Sequence, residues 1–151
     1  MSLSETHSKT AGAVKKPTVF VDGGSGTTGL GIAERLRLQN DIAVKNIADE
    51  KRKDPTAKRA LMEEVDLVIL CLPDDAAKET VALIDSLGPK GPRVLDASTA
   101  HRVAQGWTYG FAELEPDGYQ QIAAARRVSN PGCYPTAATL PDVYVAYRDQ
   151  R

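Results

Sequence analysis

The 151-residue sequence is poor in cysteine, histidine and tryptophan, with two, two and one respectively. The two cysteines, Cys71 and Cys133, occur in unrelated contexts, and neither has neighbours at a spacing typical of metal ligands. Disulfide-stapled and zinc-stabilised small proteins have many such residues at regular spacings, so neither class is indicated. We therefore predict a reduced, cytoplasmic setting and no metal site.

Long apolar runs and an excess of one charge are also missing. No apolar run approaches the roughly 20 residues of a membrane span, and 19 basic residues almost balance 20 acidic ones. Neither a membrane nor a nucleic acid is therefore indicated as a partner. Residues 1–16 are polar and lack the apolar middle of a secretion signal, so we interpret them as a flexible N-terminal tail. The remaining composition, 42% hydrophobic and 26% charged overall, is typical of a soluble globular domain.

Predicted strands and helices alternate along the first hundred residues. Continuously apolar or β-branched runs indicate strands, and apolar residues at helical spacing between start and stop signals indicate helices. The order β-α-β-α-β-α-β predicts an α/β fold, a doubly wound parallel sheet of the Rossmann type. The predicted strands are 18–22, 42–48, 65–72 and 93–98, and helices are predicted after the first strand, at 56–64, at 73–88 and at 116–127.

A glycine-rich loop lies between the first predicted strand and its helix. Its six residues fit G-x-G-x-x-G in the strand-to-helix context that this pattern requires. The first glycine would permit a tight turn, the second would let a pyrophosphate approach the backbone, and the third would allow close helix packing. Free N–H groups at the helix start favour phosphate oxygens. The alternative is a glycine-rich turn without a ligand. The predicted dinucleotide contacts are Gly24, Ser25, Gly26, Thr27, Thr28 and Gly29.

The residues after the second predicted strand bear on the choice between NAD and NADP. Asp49 and Glu50 could hold a ribose 2′-hydroxyl, whereas the basic residues 51–53 could accommodate a 2′-phosphate. We predict NADP as the cofactor, with Arg52 as the leading contact because a guanidinium matches phosphate geometry. A solvated charged loop is the alternative interpretation.

Cys133 is the candidate nucleophile, in the segment SNPGCYPTAAT at 129–139. Pro131 and Gly132 predict a turn, and Cys133 would begin the following helix, where a thiolate is stabilised over a thiol. A thiolate close to a nicotinamide could hold a substrate as a thioester, which accepts hydride readily. Cys71 lies inside an apolar strand, and we interpret it as a structural residue.

Five blocks in the same order resemble a known family. Together they are similar to the shorter form of N-acetyl-γ-glutamyl-phosphate reductase, the NADPH enzyme of arginine biosynthesis, from about Pro17 to Leu140. The cysteine block is the most specific of the five, whereas a glycine loop alone is common. The blocks are FVDGGSGTTGLGIAERL, LCLPDDAAKE, LDASTAHRV, GWTYGFAEL and SNPGCYPTAATL.

The resemblance implies a mechanism and a small-molecule acyl-phosphate substrate. Cys133 as thiolate would attack the acyl phosphate and expel inorganic phosphate, and the thioester would accept hydride from NADPH and collapse to the semialdehyde. Asn130 and neighbouring backbone N–H groups could stabilise the oxyanion. Arg102 would anchor a substrate carboxylate or phosphate, unless it pairs with Asp96 or Glu113.

The resemblance also places other residues at the site. Glu113 would lie beside the substrate, whereas His101 is interpreted as a loop or hydrogen-bonding residue and not as the catalytic histidine. The cofactor side would include Leu72, Pro73 and Ser98.

The chain departs from the family pattern in its length. It ends 18 residues after Cys133, whereas family members continue into a second domain that supplies a catalytic histidine and oligomer contacts. We therefore expect an NADP-binding Rossmann-type domain at 17–132, the start of a truncated catalytic domain at 133–151, and a homo-oligomer for the full-length family member.

Two other functions stay open at this point. One is a nucleotide-binding module without catalysis. The other is an enzyme like aspartate-semialdehyde dehydrogenase, which the residues SNPGCYPT disfavour because that family usually has a different set around its cysteine.

Overall fold

The computed structural model describes residues 15–51, 54–134 and 136. Its centre is a six-stranded sheet in the order β2-β1-β3-β4-β6-β5, and every neighbouring pair is parallel. The strands are β1 (Thr18–Asp22), β2 (Ala43–Lys45), β3 (Leu67–Leu70), β4 (Arg93–Asp96), β5 (Thr108–Tyr109) and β6 (Arg127–Ser129). The helices are α1 (Thr27–Arg37), α2 (Pro55–Glu64), α3 (Asp74–Ser86) and α4 (Gly118–Ala124). The predicted α/β fold with a parallel sheet is confirmed.

The core lies on both faces of this sheet, because side chains on a strand point alternately to opposite sides. On one face, Phe20, Val68 and Leu70 pack with buried residues of α2 and α3, including Met62 and Ile84. On the other face, Val19, Val21 and Ile69 pack against α1. Burial on both sides accounts for the continuously apolar sequence of β3, which is typical of parallel sheets.

α2 begins where the sequence supplies a start signal. Asp54 accepts a hydrogen bond from the Thr56 N–H at 2.8 Å, and Pro55 occupies the first turn of α2. α3 buries Ala77, Thr80, Val81 and Ile84, and this helical spacing turns one face of the helix to the core. No helix among the described residues is long and apolar enough to cross a membrane.

Two strands, β5 and β6, were not predicted. The helix predicted at 116–127 is shorter, since α4 covers Gly118–Ala124 and the chain then enters β6 beside β4. A three-residue strand that begins with an arginine is too short to show a period. The predicted strands at 65–72 and 93–98 were too long at their carboxyl ends, because residues after Leu70 and Asp96 leave the sheet and form loops.

Candidate active site

The carboxyl ends of four strands, β1, β3, β4 and β6, bring their following loops to one edge of the sheet. The chain proceeds from β1 outward to β2, then crosses back to β3 on the other side of β1. Ligands of open α/β sheets bind at the carboxyl edge beside such a reversal. The predicted site residues are therefore expected to lie at this edge of the sheet.

The glycine loop has its left-handed turn at Gly23, one residue before the predicted position. Gly23 has a φ of 85°, and a Cβ there would lie 2.8 Å from the Cys71 carbonyl carbon. Gly29 packs closely on the same turn, since its Cβ would lie 2.7 Å from the Gly24 Cα. The predicted close packing at Gly29 agrees with this geometry, whereas the left-handed turn belongs to Gly23 and not to Gly24.

The start of α1 faces open space beside this loop. Gly26 is the N-cap residue, no side chain among the described residues caps the helix, and a Cβ on Gly26 would meet nothing closer than 3.5 Å. Ser25, Thr27 and Thr28 are exposed. A cleft of about 710 Å³, here called the α1 cleft, extends from residues 20–25 along α1 to residues 46–48. Uncapped N–H groups beside a cleft of this size suit the phosphates of a dinucleotide.

A charged cluster forms one wall of the α1 cleft. The Lys58 Nζ lies 2.5 Å from the Asp22 Oδ2 and donates a hydrogen bond to the Thr80 hydroxyl at 2.8 Å. The Thr80 hydroxyl lies 3.2 Å from the same carboxylate oxygen. This cluster ties the end of β1 to α2 and α3, and sequence analysis did not single out any of its members as site residues. Only the place of Asp22, at the end of a predicted strand, offered a signal.

The loops after β3 and β4 are joined by Asp74. Its carboxylate accepts hydrogen bonds from the Thr99 hydroxyl at 2.5 Å and the Thr99 N–H at 3.0 Å. The hydroxyl bond is the main cause of the lowered pKa of Asp74. Leu72, a predicted cofactor contact, lines the α1 cleft, and the exposed Pro73 precedes α3 directly.

Asp96 is fully buried at the end of β4 and organises the loop that follows. It accepts hydrogen bonds from the Ser98 N–H and hydroxyl, both at 2.8 Å, and its Oδ2 lies 2.6 Å from the His101 Nδ1. The His101 ring stacks on the Trp107 ring with centroids 4.3 Å apart and an interplanar angle of 16°. Ser98 is buried with its hydroxyl directed to Asp96, and its predicted contact with the cofactor stays a prediction.

The candidate nucleophile follows a tight turn. Gly132 has a φ of 82°, and its N–H donates to the Asn130 Oδ1 at 3.2 Å. Cys133 is exposed and begins a helical turn, in which the Thr136 hydroxyl donates to the Gly132 carbonyl at 2.7 Å. The Asn130 N–H donates to the Asp96 carbonyl at 2.8 Å. The turn before the thiol is therefore attached directly to the end of β4.

Arg102 lies against this turn. Its Nε donates to the Asn130 carbonyl at 3.3 Å, and a Cβ on Gly132 would lie 2.9 Å from the guanidinium carbon. Within the described ranges, Arg102 forms no ion pair with Asp96 or Glu113, so neither of these alternative pairings occurs. The structure thus brings Arg102, Asn130 and the residue before Cys133 together.

The other predicted residues are not part of this group. Glu113 is exposed and accepts a hydrogen bond from the Tyr119 hydroxyl at 3.1 Å, and the described part of the chain shows it in no contact with Arg102 or Cys133. Arg52 lies outside the described residues. Cys71 is half-buried at the same edge, and burial is the main cause of its raised pKa, with the charges of Asp22 and Asp96 acting in the same direction.

Comparison with known proteins adds to this geometry. Residues 44–122 match the family model "Semialdehyde dehydrogenase, NAD binding domain". The chain is 54% identical over 123 residues to N-acetyl-gamma-glutamyl-phosphate reductase 2 of Nostoc sp., covering 82% of this chain and 37% of that protein. It is 51% identical over 120 residues to N-acetyl-gamma-glutamyl-phosphate reductase of Mesorhizobium japonicum, covering 80% and 38%. The chain therefore spans little more than a third of the length of these relatives.

The fold is also similar to that of solved structures. Aspartate semialdehyde dehydrogenase from Francisella tularensis matches with a TM-score of 0.55 and 15% identity, covering 75% of this chain and 35% of that one. The corresponding enzyme II from Vibrio cholerae, complexed with ASA, matches with a TM-score of 0.52 and 13% identity, covering 78% and 38%. At these identities the likeness supports the Rossmann-type fold and nothing finer.

Proposed function

This chain belongs to the semialdehyde dehydrogenase NAD-binding domain family, and we propose that it is the cofactor-binding and nucleophile-bearing part of an NADPH-dependent N-acetyl-γ-glutamyl-phosphate reductase. Relatives of that name are identical to this chain at about half of the aligned positions, and the alignment covers about four-fifths of this chain. One observation carries the proposal: the Arg102 guanidinium lies against Gly132, next to the exposed thiol of Cys133. A group that binds anions beside a nucleophile is what attack on an acyl phosphate requires.

The chemical roles follow from this arrangement. The Cys133 sulfur attacks the acyl carbon, the carbon–oxygen bond to phosphate breaks, and inorganic phosphate leaves with the bonding electrons. Arg102 binds the phosphate or carboxylate of the substrate. The Asn130 Oδ1 already accepts the Gly132 N–H, so its amide NH₂ is the group available to an oxyanion. Glu113 is proposed as a substrate contact on the resemblance of its block alone.

The cofactor of this family is a nicotinamide dinucleotide, and we propose NADP for this chain. Residues 24–29, with Leu72, Pro73 and Ser98, would hold it, and it would supply hydride to the thioester. Among the described residues, two cationic side chains line the α1 cleft, those of Arg37 and Lys58, and Lys58 already pairs with Asp22. Arg37 is therefore a candidate for the 2′-phosphate together with Arg52. Comparing the affinities for NADPH and NADH tests this choice, since equal affinity would remove any role for these cations.

The division of the chain is part of the same proposal. Residues 17–132 would form the cofactor domain, and residues 133–151 would begin the catalytic part that the longer relatives contain. Because the chain spans little more than a third of those relatives, full turnover, the acyl-phosphate substrate and homo-oligomeric assembly are proposed for the whole enzyme. The acylation half-reaction uses the thiol of Cys133 and the guanidinium of Arg102, which are both present here, so it is tested on this chain.

The test is acylation of Cys133. The chain is incubated with N-acetyl-γ-glutamyl phosphate, and adducts are located by peptide mass spectrometry, with Cys133→Ala as control and NADPH affinity measured by fluorescence. We expect an acyl adduct on Cys133, none in the control, and equal NADPH affinity in both. NADPH binding without acylation would contradict the proposal and favour the nucleotide-binding module. Preferential acylation by β-aspartyl phosphate would point to the shorter substrate instead.

A further inference from the structure

We propose that His101 is a positioning residue that holds the Arg102 guanidinium beside the Cys133 loop, through its hydrogen bond to Asp96 and its stacking on Trp107. The inference rests on the proposed function, in which Cys133 is the nucleophile and Arg102 binds the anionic substrate. His101 has no contact with Cys133 among those described, so its effect would be exerted through its neighbour in the chain.

The first step of the argument is that His101 is fixed from two directions. The Asp96 carboxylate is fully buried and is itself held by two hydrogen bonds from Ser98. A carboxylate only accepts, so the His101 Nδ1, 2.6 Å away, carries the proton of this bond. The side chain of His101 is 12% exposed, and the Trp107 ring covers one of its faces.

The second step concerns Trp107, which is itself held in place. The Arg127 guanidinium carbon lies 5.9 Å from the Trp107 ring centroid, a cation–π arrangement, and Arg127 also pairs with Asp85 of α3. Arg127 belongs to β6, two residues before Ser129. The stack of His101 on Trp107 is thus connected through Arg127 to β6 and α3.

The third step is that Arg102 has little side-chain attachment of its own. Its guanidinium group makes one hydrogen bond among the described residues, from Nε to the Asn130 carbonyl at a long 3.3 Å. Its backbone is held better, because the Arg102 carbonyl accepts the Ser129 hydroxyl at 3.0 Å. With Ser129 on one side and His101 on the other, the backbone sets the direction in which the arginine side chain leaves.

The test uses the charge of the reagent as a probe of Arg102. Iodoacetate and iodoacetamide alkylate the same thiol, but only iodoacetate is an anion, so the ratio of their rates at Cys133 reports a nearby guanidinium. Rates are measured on the full chain at low ionic strength, where screening is weak, and Cys133 adducts are quantified by peptide mass spectrometry. The benchmark is Arg102→Gln. We expect it to lower the iodoacetate-to-iodoacetamide ratio roughly threefold, the factor for a unit charge about 6 Å away in water.

Two substitutions of His101 then separate positioning from stability. His101→Phe retains an aromatic ring for Trp107 but lacks the donor to Asp96, and we expect it to lower the ratio as far as Arg102→Gln does. His101→Asn places an amide donor near the position of Nδ1 but loses the stack on Trp107, and we expect it to recover part of the ratio. Val103→Ala, at the adjacent and 93% exposed position, is the matched control and should leave the ratio unchanged. Trp107 fluorescence during urea unfolding monitors the fold of each variant.

A variant that leaves Asp96 buried without its histidine could fail to fold. His101→Phe combined with Asp96→Asn removes the unpaired charge, and we expect the same low ratio from it. An unchanged ratio in the folded His101→Phe variants, or an equally low one in His101→Asn, would overturn the positioning role. An unchanged ratio in Arg102→Gln would instead contradict the anion-binding role of Arg102 in the proposed function, so the two failures are distinguishable.

Discussion

Gly29 and Gly31 lie in the same helix, α1, and the structure predicts opposite effects of alanine at the two positions. A Cβ at Gly29 would lie 2.7 Å from the Gly24 Cα and 2.8 Å from the Gly23 carbonyl carbon. Both are backbone atoms of the glycine loop, so the loop or the helix has to move. A Cβ at Gly31 would meet nothing within 4 Å. The pair therefore separates close packing from helix propensity.

The magnitudes follow from those two effects. Alanine is favoured over glycine inside a helix by about 1 kcal/mol, which both variants gain. Overpacking against rigid neighbours costs about 3 kcal/mol at the upper end of its usual range, and only Gly29→Ala incurs it. We expect Gly31→Ala to stabilise the chain by about 1 kcal/mol and Gly29→Ala to destabilise it by about 2. At about 4 °C per kcal/mol for a chain of this size, the two Tm values should differ by about 12 °C.

Urea unfolding, monitored by far-ultraviolet circular dichroism, measures the stabilities of the two variants. Titration with NADPH, monitored by fluorescence, measures the affinity of the glycine loop for the cofactor. Because Gly29→Ala displaces the residues that would face the pyrophosphate, we expect its NADPH affinity to fall roughly tenfold, a change of about 1.4 kcal/mol. Gly31→Ala should bind as the unaltered chain does. If Gly29→Ala were as stable as Gly31→Ala and bound NADPH equally well, the close contact between α1 and the glycine loop would be refuted.

Three further predictions concern single side chains. Lys58→Met, which leaves the partly buried carboxylate of Asp22 without its ion-pair partner, should destabilise the chain by about 1–3 kcal/mol, whereas the control Lys45→Met, which removes the exposed ion pair with Glu64, should cost distinctly less by urea unfolding. Iodoacetamide at neutral pH should modify Cys133 while sparing Cys71, whose pKa is raised chiefly by burial; equal labelling before unfolding would contradict this. The pKa of Asp66 is lowered chiefly by the hydrogen bond that its carboxylate accepts from the Thr18 N–H at the start of β1. Asp66→Asn should therefore lower the urea midpoint at neutral pH. The difference between the variant and the unaltered chain should vanish as the pH falls below the lowered pKa.

Elements whose residues mostly favour one type of secondary structure could be predicted from the sequence, whereas short elements of mixed residue types could not. β1 was predicted with its observed bounds because four consecutive β-branched or aromatic residues favour a strand, and the same four are buried. β6 has three residues and begins with an arginine, and no glycine lies between it and α4, so neither a period nor a turn residue signals it. Its buried positions, Val128 and Ser129, are determined by pairing with β4, which is a tertiary effect.

The candidate site divides in the same way. The glycine loop could be found because backbone requirements limit it to a few residue types in a fixed order. Arg102 could be named only from the resemblance of its block, since one arginine in an irregular loop has no pattern of its own. Lys58 could not be found at all. It is one of two basic residues in α2, and only the folded helix shows that its ammonium group reaches Asp22.

Two thiols lie at the same edge of the sheet, and the charges around them distinguish their chemistry. Cys71 is half-buried, and the carboxylates of Asp22 and Asp96 add to the effect of burial in raising its pKa, so it stays a neutral thiol at neutral pH. Cys133 is exposed, and the guanidinium of Arg102 lies against Gly132, the residue before it. Since a thiolate is the nucleophile, the negative neighbours suppress reaction at Cys71, whereas the proposed function places a guanidinium beside Cys133. The buried carboxylate of Asp96 links the two positions, because its charge helps to raise the pKa of Cys71 and it also binds the histidine that precedes Arg102.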